Sequence, residues 1–156
     1  MKKIFLVLAM FTIGTLSVFA DGKQEALNFF NSYVQAANTY SSTVATMYSP
    51  SAKIIRQVIK PDGTTVDMTT NTSTYITQMK LGQAGAKLRR YKNTYTDVVV
   101  TPLPNGTYKI SSLRQPTGES YKLKTYMIVK KQPDGKWLIV EEMMQTKVQV
   151  FLKYAN

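Results

Sequence analysis

Apolar residues recur every three or four positions across residues 23–48, and this spacing predicts an amphipathic α-helix. Its apolar positions are Leu27, Phe30, Val34, Ala37, Tyr40, Val44, Met47 and Tyr48. Pro50 follows, and because the residue before a proline disfavours the helical conformation, we expect the helix to end near Ser49. A weaker helical pattern runs to about Leu88, with cap residues beginning at Asn71, and predicts a second helix.

The other segments have the composition of strands joined by tight turns. β-Branched residues at 53–59 predict a short strand, and a weaker strand follows at 64–68. Longer strands are predicted at residues 94–101, 107–114, 120–131 and 137–150. Proline-glycine turn sequences separate these strands, at residues 60–63, 104–106, 116–118 and 132–135. This order favours an α+β domain in which two helices pack on one face of a curved antiparallel sheet.

The first residues have the pattern of a signal peptide. Lys2 and Lys3 precede an apolar run at residues 4–19, and Val18 and Ala20 occupy the positions that signal peptidase reads. The run is shorter than the ~20 residues a helix needs to cross a bilayer. We therefore predict a signal peptide at residues 1–20 that is cleaved after Ala20, a periplasmic or secreted location, and one mature domain at residues 21–156. A retained membrane anchor is the alternative.

The chain is strongly basic. Its formal net charge is +11, and loss of Lys2 and Lys3 with the leader would lower it to +9. Such a charge attracts anionic partners, so peripheral contact with an anionic membrane surface is one expectation. An ordinary solubilising surface explains the same charge. No nucleic-acid-binding motif is present, and nucleic acid is not expected as a partner outside the cytoplasm.

The sequence contains no histidine and no cysteine. A Ser-His-Asp triad, a thiolate nucleophile and a cysteine-based zinc site are therefore excluded. There is also no P-loop and no glycine-rich dinucleotide-binding motif. We expect no metal and no cofactor, and these absences favour a non-catalytic function over an enzyme.

Two charged residues fall on strand faces that the alternation of side chains makes apolar. In the last strand, residues 138, 140, 142, 144, 146 and 148 share such a face, which Glu142 interrupts. Arg114 ends another in the strand before the 116–118 turn. If both point inward they meet in a pocket, with Glu142 as a proton acceptor or Arg114 as an anion-binding group. The alternatives are a structural ion pair, or a register that turns Glu141 inward. Arg56 is predicted to face solvent from a small edge strand.

Ten tyrosines and eight methionines supply side chains suited to the wall of an apolar pocket. The candidate ligand-binding residues are Tyr33, Tyr40, Arg114, Met127, Glu142 and Met144. Ordinary core packing accounts equally well for the aromatic and methionine side chains.

The chain resembles the NTF2-like (SnoaL-like, cone-shaped) superfamily. The resemblance lies in the element order, in the helix with Phe29, Phe30 and Tyr33 that leads into the 53–59 strand, and in the closing Asp-Gly-Lys-Trp-Leu-Ile-Val stretch at 134–140. It implies a conical pocket between helices and sheet. The superfamily includes isomerases, dehydratases, polyketide cyclases, non-catalytic ligand binders and assembly modules of secretion systems, and the fold does not choose among them.

We expect an exported, non-catalytic NTF2-like domain that binds a small hydrophobic or amphipathic ligand, a lipid or a partner protein, with a homodimer as one form of assembly. One alternative is a small isomerase or hydratase that uses Glu142 as base and Tyr33 or Tyr40 as hydrogen-bond donor. The other is an envelope interaction or immunity factor that binds through its charged surface.

Overall fold

The computed structural model describes residues 12–154. Its helices and strands are, in chain order, α1 (Thr12–Asn38), β1 (Tyr48–Ile59), β2 (Thr65–Thr70), α2 (Thr72–Leu88), β3 (Asn93–Leu103), β4 (Thr107–Pro116), β5 (Leu123–Lys131) and β6 (Trp137–Thr146). Short 3₁₀ helices follow α1 and β6, at Ser42–Met47 and Gln149–Tyr154. This architecture confirms the predicted α+β class, with helices packed on one sheet.

The strands that the structure describes form one six-stranded sheet in the order β2-β1-β6-β5-β4-β3. Four of the neighbouring pairs are antiparallel, but β1 and β6 run parallel. The prediction of a wholly antiparallel sheet is therefore wrong in this one pairing. The reason is topological, because the meander from β3 to β6 brings the last strand back beside β1 in the same direction.

Helix α1 ends at Asn38, well before the predicted end near Ser49. The chain leaves the helix through Tyr40 at φ 58°, where the Ser41 N–H group donates to Ala36 O (2.9 Å) and the Tyr40 N–H group to Ala37 O (3.2 Å). This pair of bonds is a Schellman motif, which closes a helix. The apolar spacing continues through Ser42–Met47 as a 3₁₀ helix, so the periodicity did not reveal the break.

Three irregularities in pairing interrupt the register of the sheet. The first lies in β1 between Tyr48 and Lys53, and the third lies in β3 between Thr96 and Val99. The second lies where β5 pairs with β6. The second changes the inward-facing set in β6, because Ile139 and Glu142 are both fully buried. The prediction that residues 138 and 140 share the face of Glu142 is therefore wrong, since a bulge shifts the alternation by one residue. The strand also ends at Thr146 and does not reach residue 150.

Helix α1 packs across the inner face of the sheet. Phe30 and Tyr33 join the buried core with Ile54, Ile110 and Ile139. The predicted signal peptide, residues 1–20, lies partly outside the described residues, which begin at residue 12. Residues 12–20 form the first part of α1. None of the described helices combines the length and the apolar character that crossing a membrane requires.

Candidate functional site

The fully buried Glu142 lies at the middle of the inner face of the sheet. Its Cα is in register with Ile54 of β1 on one side and with Met127 of β5 on the other, and both of these residues are core residues. A carboxylate in such surroundings is stable only when charged or polar groups compensate for its lost hydration. The sequence left the orientation of Glu142 open, and its 0% exposure shows that the side chain points inward.

Three side chains compensate the Glu142 carboxylate. The Tyr33 hydroxyl donates to Oε1 at 3.1 Å and the Tyr48 hydroxyl to the same oxygen at 2.9 Å. Arg56 Nη1 donates to Oε2 at 3.2 Å and completes an ion pair. We call Tyr33, Tyr48, Arg56 and Glu142 the buried carboxylate cluster. Helix α1 contributes the first of these residues and β1 the next two, so the cluster ties the helix to the sheet.

The two tyrosines of this cluster stay protonated. Burial raises the pKa of Tyr33 and of Tyr48 well above the ordinary value, and the nearby charge of Glu142 raises both pKa values further. Each hydroxyl therefore remains a hydrogen-bond donor toward the carboxylate. Both oxygens of Glu142 are therefore already engaged by hydrogen bonds from within the protein.

Three predictions about charged residues are corrected by this geometry. Arg56 does not face solvent, because β2 and β6 flank its strand on both sides and its side chain is only 16% exposed. Glu141 does not turn inward and accepts a 2.6 Å hydrogen bond from Tyr126. Glu142 and Arg114 do not meet, since their strands are separated by β5 and Arg114 pairs in register with Leu123, four residues along β5 from the Met127 opposite Glu142.

A cavity of about 320 Å³ lies between the C-terminal end of α1, helix α2 and the β3–β4 side of the sheet. Its wall is mostly aromatic and aliphatic. The lining residues are Tyr33, Ala37, Asn38, Tyr40, Ser41, Val44, Tyr75, Met79, Gly82, Gln83, Ala86, Tyr91, Asn93, Tyr95, Arg114 and Met144. The α2 side includes two small residues, Gly82 and Ala86, where larger side chains would take up space.

Four of the six predicted ligand-binding residues line this cavity, namely Tyr33, Tyr40, Arg114 and Met144. The other two do not. Met127 is a core residue with 3% exposure, and the carboxylate of Glu142 lies within the buried carboxylate cluster. Sequence reasoning did not assign the cavity residues of α2, because only the packing of α2 beside α1 makes them part of a common wall.

Arg114 is a buried cation in the cavity wall, with 6% exposure. Its Nη1 donates to Asn93 Oδ1 at 2.8 Å and to the Tyr91 hydroxyl at 3.3 Å, and its Nη2 donates to Gln145 O at 2.8 Å. The Nε–H group has no acceptor. The ion pairs within residues 12–154 do not include Arg114, and the three oxygens that accept its hydrogen bonds are neutral.

Tyr40 is the second cavity residue with an unsatisfied polar group. Its hydroxyl is buried and has no hydrogen-bond partner within the described chain. Its backbone lies in the left-handed region at φ 58°, a conformation that is costly for a bulky side chain. The amide of Gln83 on α2 donates to the carbonyl oxygen of Tyr40, which ties this turn to the facing helix.

A second groove, of about 740 Å³, lies between β2, α2 and the C-terminal 3₁₀ helix. Tyr75 and Met79 line both spaces. Arg56 is the charged residue of this groove, and it is already paired with Glu142. The groove is larger. Two of the three buried polar atoms without partners in the described residues, the Tyr40 hydroxyl and Arg114 Nε, nevertheless belong to residues that line the 320 Å³ cavity, and the third is Ser112 Oγ. The 320 Å³ cavity is therefore the better candidate site. In the described part of the chain, no group of three or more Asp and Glu side chains is placed to hold a metal ion.

The sequence matches no protein-family model, and a comparison with curated proteins found no match. Solved structures do resemble the fold. A protein of unknown function from the DUF3225 family of Pectobacterium atrosepticum superposes with a TM-score of 0.61 at 17% identity, over 81% of this chain and 91% of that one. An NTF2-like protein of unknown function from Shewanella oneidensis gives 0.59 at 12% identity, over 79% and 98%.

A proposed scytalone dehydratase from Novosphingobium aromaticivorans has a TM-score of 0.57 at 12% identity, over 80% of this chain and 86% of that one. At these identities the similarity concerns the fold and does not extend to activity. The protein therefore has an NTF2-like fold, as the sequence resemblance implied.

Proposed function

We propose that this NTF2-like chain is an exported, non-catalytic domain that binds a small amphipathic molecule in the cavity between α1, α2 and β4. The observation that carries the proposal is the cavity itself. Its volume of about 320 Å³ lies within the ~300–1,000 Å³ typical of small-molecule sites, and its wall combines apolar rings with a few convergent polar groups. Arg114 and Tyr40 each bring a buried polar atom that lacks a partner.

The position of Glu142 weighs against the isomerase or hydratase alternative. A general base must reach the proton that it removes, but Glu142 does not line the cavity. Both of its oxygens accept hydrogen bonds within the buried carboxylate cluster, and the Tyr33 hydroxyl donates to the same carboxylate. The cluster accordingly has a structural role in this proposal.

The test uses phenylnaphthylamine, a neutral probe whose fluorescence rises in an apolar site. We expect saturable binding of one probe per chain to the protein without residues 1–20. Gly82 lines the cavity and has no atom within 4 Å of an added Cβ, so Gly82→Leu places a side chain at the cavity rim. This variant should weaken binding several-fold.

Gly85→Leu is the matched control, because Gly85 lies on the same helix but does not line the cavity. An added Cβ there makes only ordinary contacts with Arg89, at 3.5 Å or more. Both substitutions replace a helical glycine, and each should favour the helix by up to ~1 kcal/mol. Loss of binding in Gly82→Leu alone cannot then be attributed to unfolding. Absence of saturable binding, or equal loss in both variants, would overturn the proposed site.

Native mass spectrometry of the protein purified from its own envelope tests the remaining parts of the proposal. A mass that corresponds to a start at Asp21 would establish cleavage after Ala20. A retained small molecule would identify the ligand by its mass. An empty dimer would favour the alternative in which the protein acts through assembly.

A further inference from the structure

We infer that the ligand of the cavity is an organic anion, whose acidic group lies against the guanidinium of Arg114 while its apolar body fills the aromatic part of the cavity. This inference rests on the proposed function and adds the chemical class of the ligand. It starts from the contrast between the two arginines that the fold places inside.

Arg56 and Arg114 are both largely buried, but only one has a counter-charge. Arg56 pairs with the carboxylate of Glu142 at 3.2 Å. Arg114 is more buried, with 6% exposure, and its acceptors are a hydroxyl, an amide oxygen and a backbone carbonyl. A buried charge is costly unless an opposite charge compensates it, and breaking such a pair typically costs several kcal/mol. An anion in the adjoining cavity would supply the counter-charge for Arg114, as the Glu142 carboxylate does for Arg56.

The protein contacts of Arg114 hold its guanidinium in place and leave donor capacity. Asn93, Tyr91 and the carbonyl of Gln145 fix the two terminal nitrogens from three directions. The buried Nε–H group has no acceptor among residues 12–154, although a guanidinium is suited to binding both oxygens of an acidic group. A preorganised cation of this kind binds an anion with little loss of side-chain entropy.

The remaining wall is suited to the apolar part of such a ligand. Tyr95 lies opposite Arg114 in register on β3, and Tyr75 and Met79 of α2 also line the cavity. The hydroxyl of Tyr40 offers a further hydrogen bond, since it has no partner of its own. The net charge of +9 that remains without Lys2 and Lys3 adds a long-range attraction for an anion and none for a neutral molecule.

A pair of probes with one skeleton tests the inference. Anilinonaphthalene sulfonate is phenylnaphthylamine with an added sulfonate group, so the two probes differ in the acidic group alone. Because the sulfonate is the more water-soluble probe, an apolar cavity without an anion site would bind it more weakly. We expect the protein to bind the sulfonate at least tenfold more tightly than the neutral probe, since hydrogen bonds to a charged group contribute about 1.5–3 kcal/mol.

Substitution of Arg114 locates the effect. Arg114→Gln should weaken sulfonate binding at least tenfold and change binding of the neutral probe less than about twofold, by the same energies. Arg89→Gln is the control, because it removes the same charge from an exposed side chain outside the cavity wall. It should leave both affinities unchanged. If Arg114→Gln does not fold, Arg114→Lys keeps the charge, loses the planar fork and should still reduce the preference for the sulfonate.

The outcomes separate this inference from the proposed function. If the neutral probe binds as tightly as the sulfonate, and Arg114 variants affect the two alike, the anion inference is wrong while the cavity remains a binding site. If Gly82→Leu changes the affinity of neither probe, or if neither probe binds, the proposed function is wrong as well. If a fatty acid displaces the bound sulfonate probe and the corresponding alcohol does not, the result extends to carboxylates.

Discussion

The buried carboxylate cluster provides a quantitative test of the structure through Glu142→Gln. Glutamine keeps the shape of the side chain, and its oxygen can still accept from Tyr33 and Tyr48. Its amide group, however, would place N–H donors against the donor of Arg56, which now lies 3.2 Å from Oε2. Removal of one partner from a buried ion pair costs about 3–5 kcal/mol. We expect about 3 kcal/mol, the lower end, because Arg56 keeps 16% exposure and can draw some hydration.

Urea unfolding followed by the fluorescence of Trp137 measures this loss, since Trp137 is the single tryptophan and packs against Tyr108 at a centroid distance of 5.7 Å. A domain of this size has a stability of about 5–15 kcal/mol, so the variant should remain folded but unfold at a much lower urea concentration. Glu141→Gln is the matched control. It makes the same chemical change one residue away on the opposite face and should cost about 1 kcal/mol or less.

A double-mutant cycle decides whether the pairing with Arg56 carries the effect. Arg56→Gln with Glu142→Gln should be clearly less destabilised than the sum of the single variants, because the double change leaves no lone buried charge. If Glu142→Gln costs no more than Glu141→Gln, or if the cycle shows no coupling, the carboxylate is not buried and paired as described.

Three further predictions concern other parts of the fold. Hydrogen bonds from Lys131 and Trp137 lower the pKa of Glu25 below its ordinary 4.5, so its contribution to stability is present above that pH and is lost as the pH falls through the lowered pKa. The free energy of unfolding of Glu25→Gln, measured with urea, should therefore fall less steeply below about pH 4.5 than that of the unchanged protein. Equal slopes for the two proteins in this pH range would contradict the prediction. Asn71→Ala removes the side-chain cap of α2 and should cost about 1 kcal/mol in the same assay, whereas no loss would mean that the cap is not formed. Because Tyr40 has φ 58°, Tyr40→Gly should be about 1 kcal/mol more stable than Tyr40→Ala, and equal stabilities would argue against the left-handed turn.

The predictions that succeeded rest on local patterns. The helical spacing and cap at residues 71–88 correspond to α2 with its N-cap Asn71, and the turn sequences lie between the observed strands. Alternation within the last strand placed Glu142 on an apolar face but left its orientation open, and the bulge in β6 altered which neighbours share its face. The missing histidine and cysteine exclude whole classes of chemistry regardless of the fold.

The predictions that failed depended on groups far apart in the chain. Arg56 was expected in solvent because its own segment cannot show that β2 and β6 cover the strand on both sides or that Glu142 lies beside it. The end of α1 was misplaced because the apolar spacing runs on through the 3₁₀ helix, while backbone hydrogen bonds decide where the helix stops.

The amino-acid sequence by itself therefore determined the element types, the α+β class, the resemblance to an NTF2-like fold and the lack of common catalytic groups, since these depend on residue type and short-range spacing. Only the tertiary structure decided that β1 and β6 run parallel, that Glu142 pairs with Arg56, and that Arg114 lies without a counter-charge in the wall of a cavity. The physical reason is that register, bulges and helix packing are set by contacts between distant segments. The periodicity of one segment carries no information about which charged residues from other segments will be buried beside it.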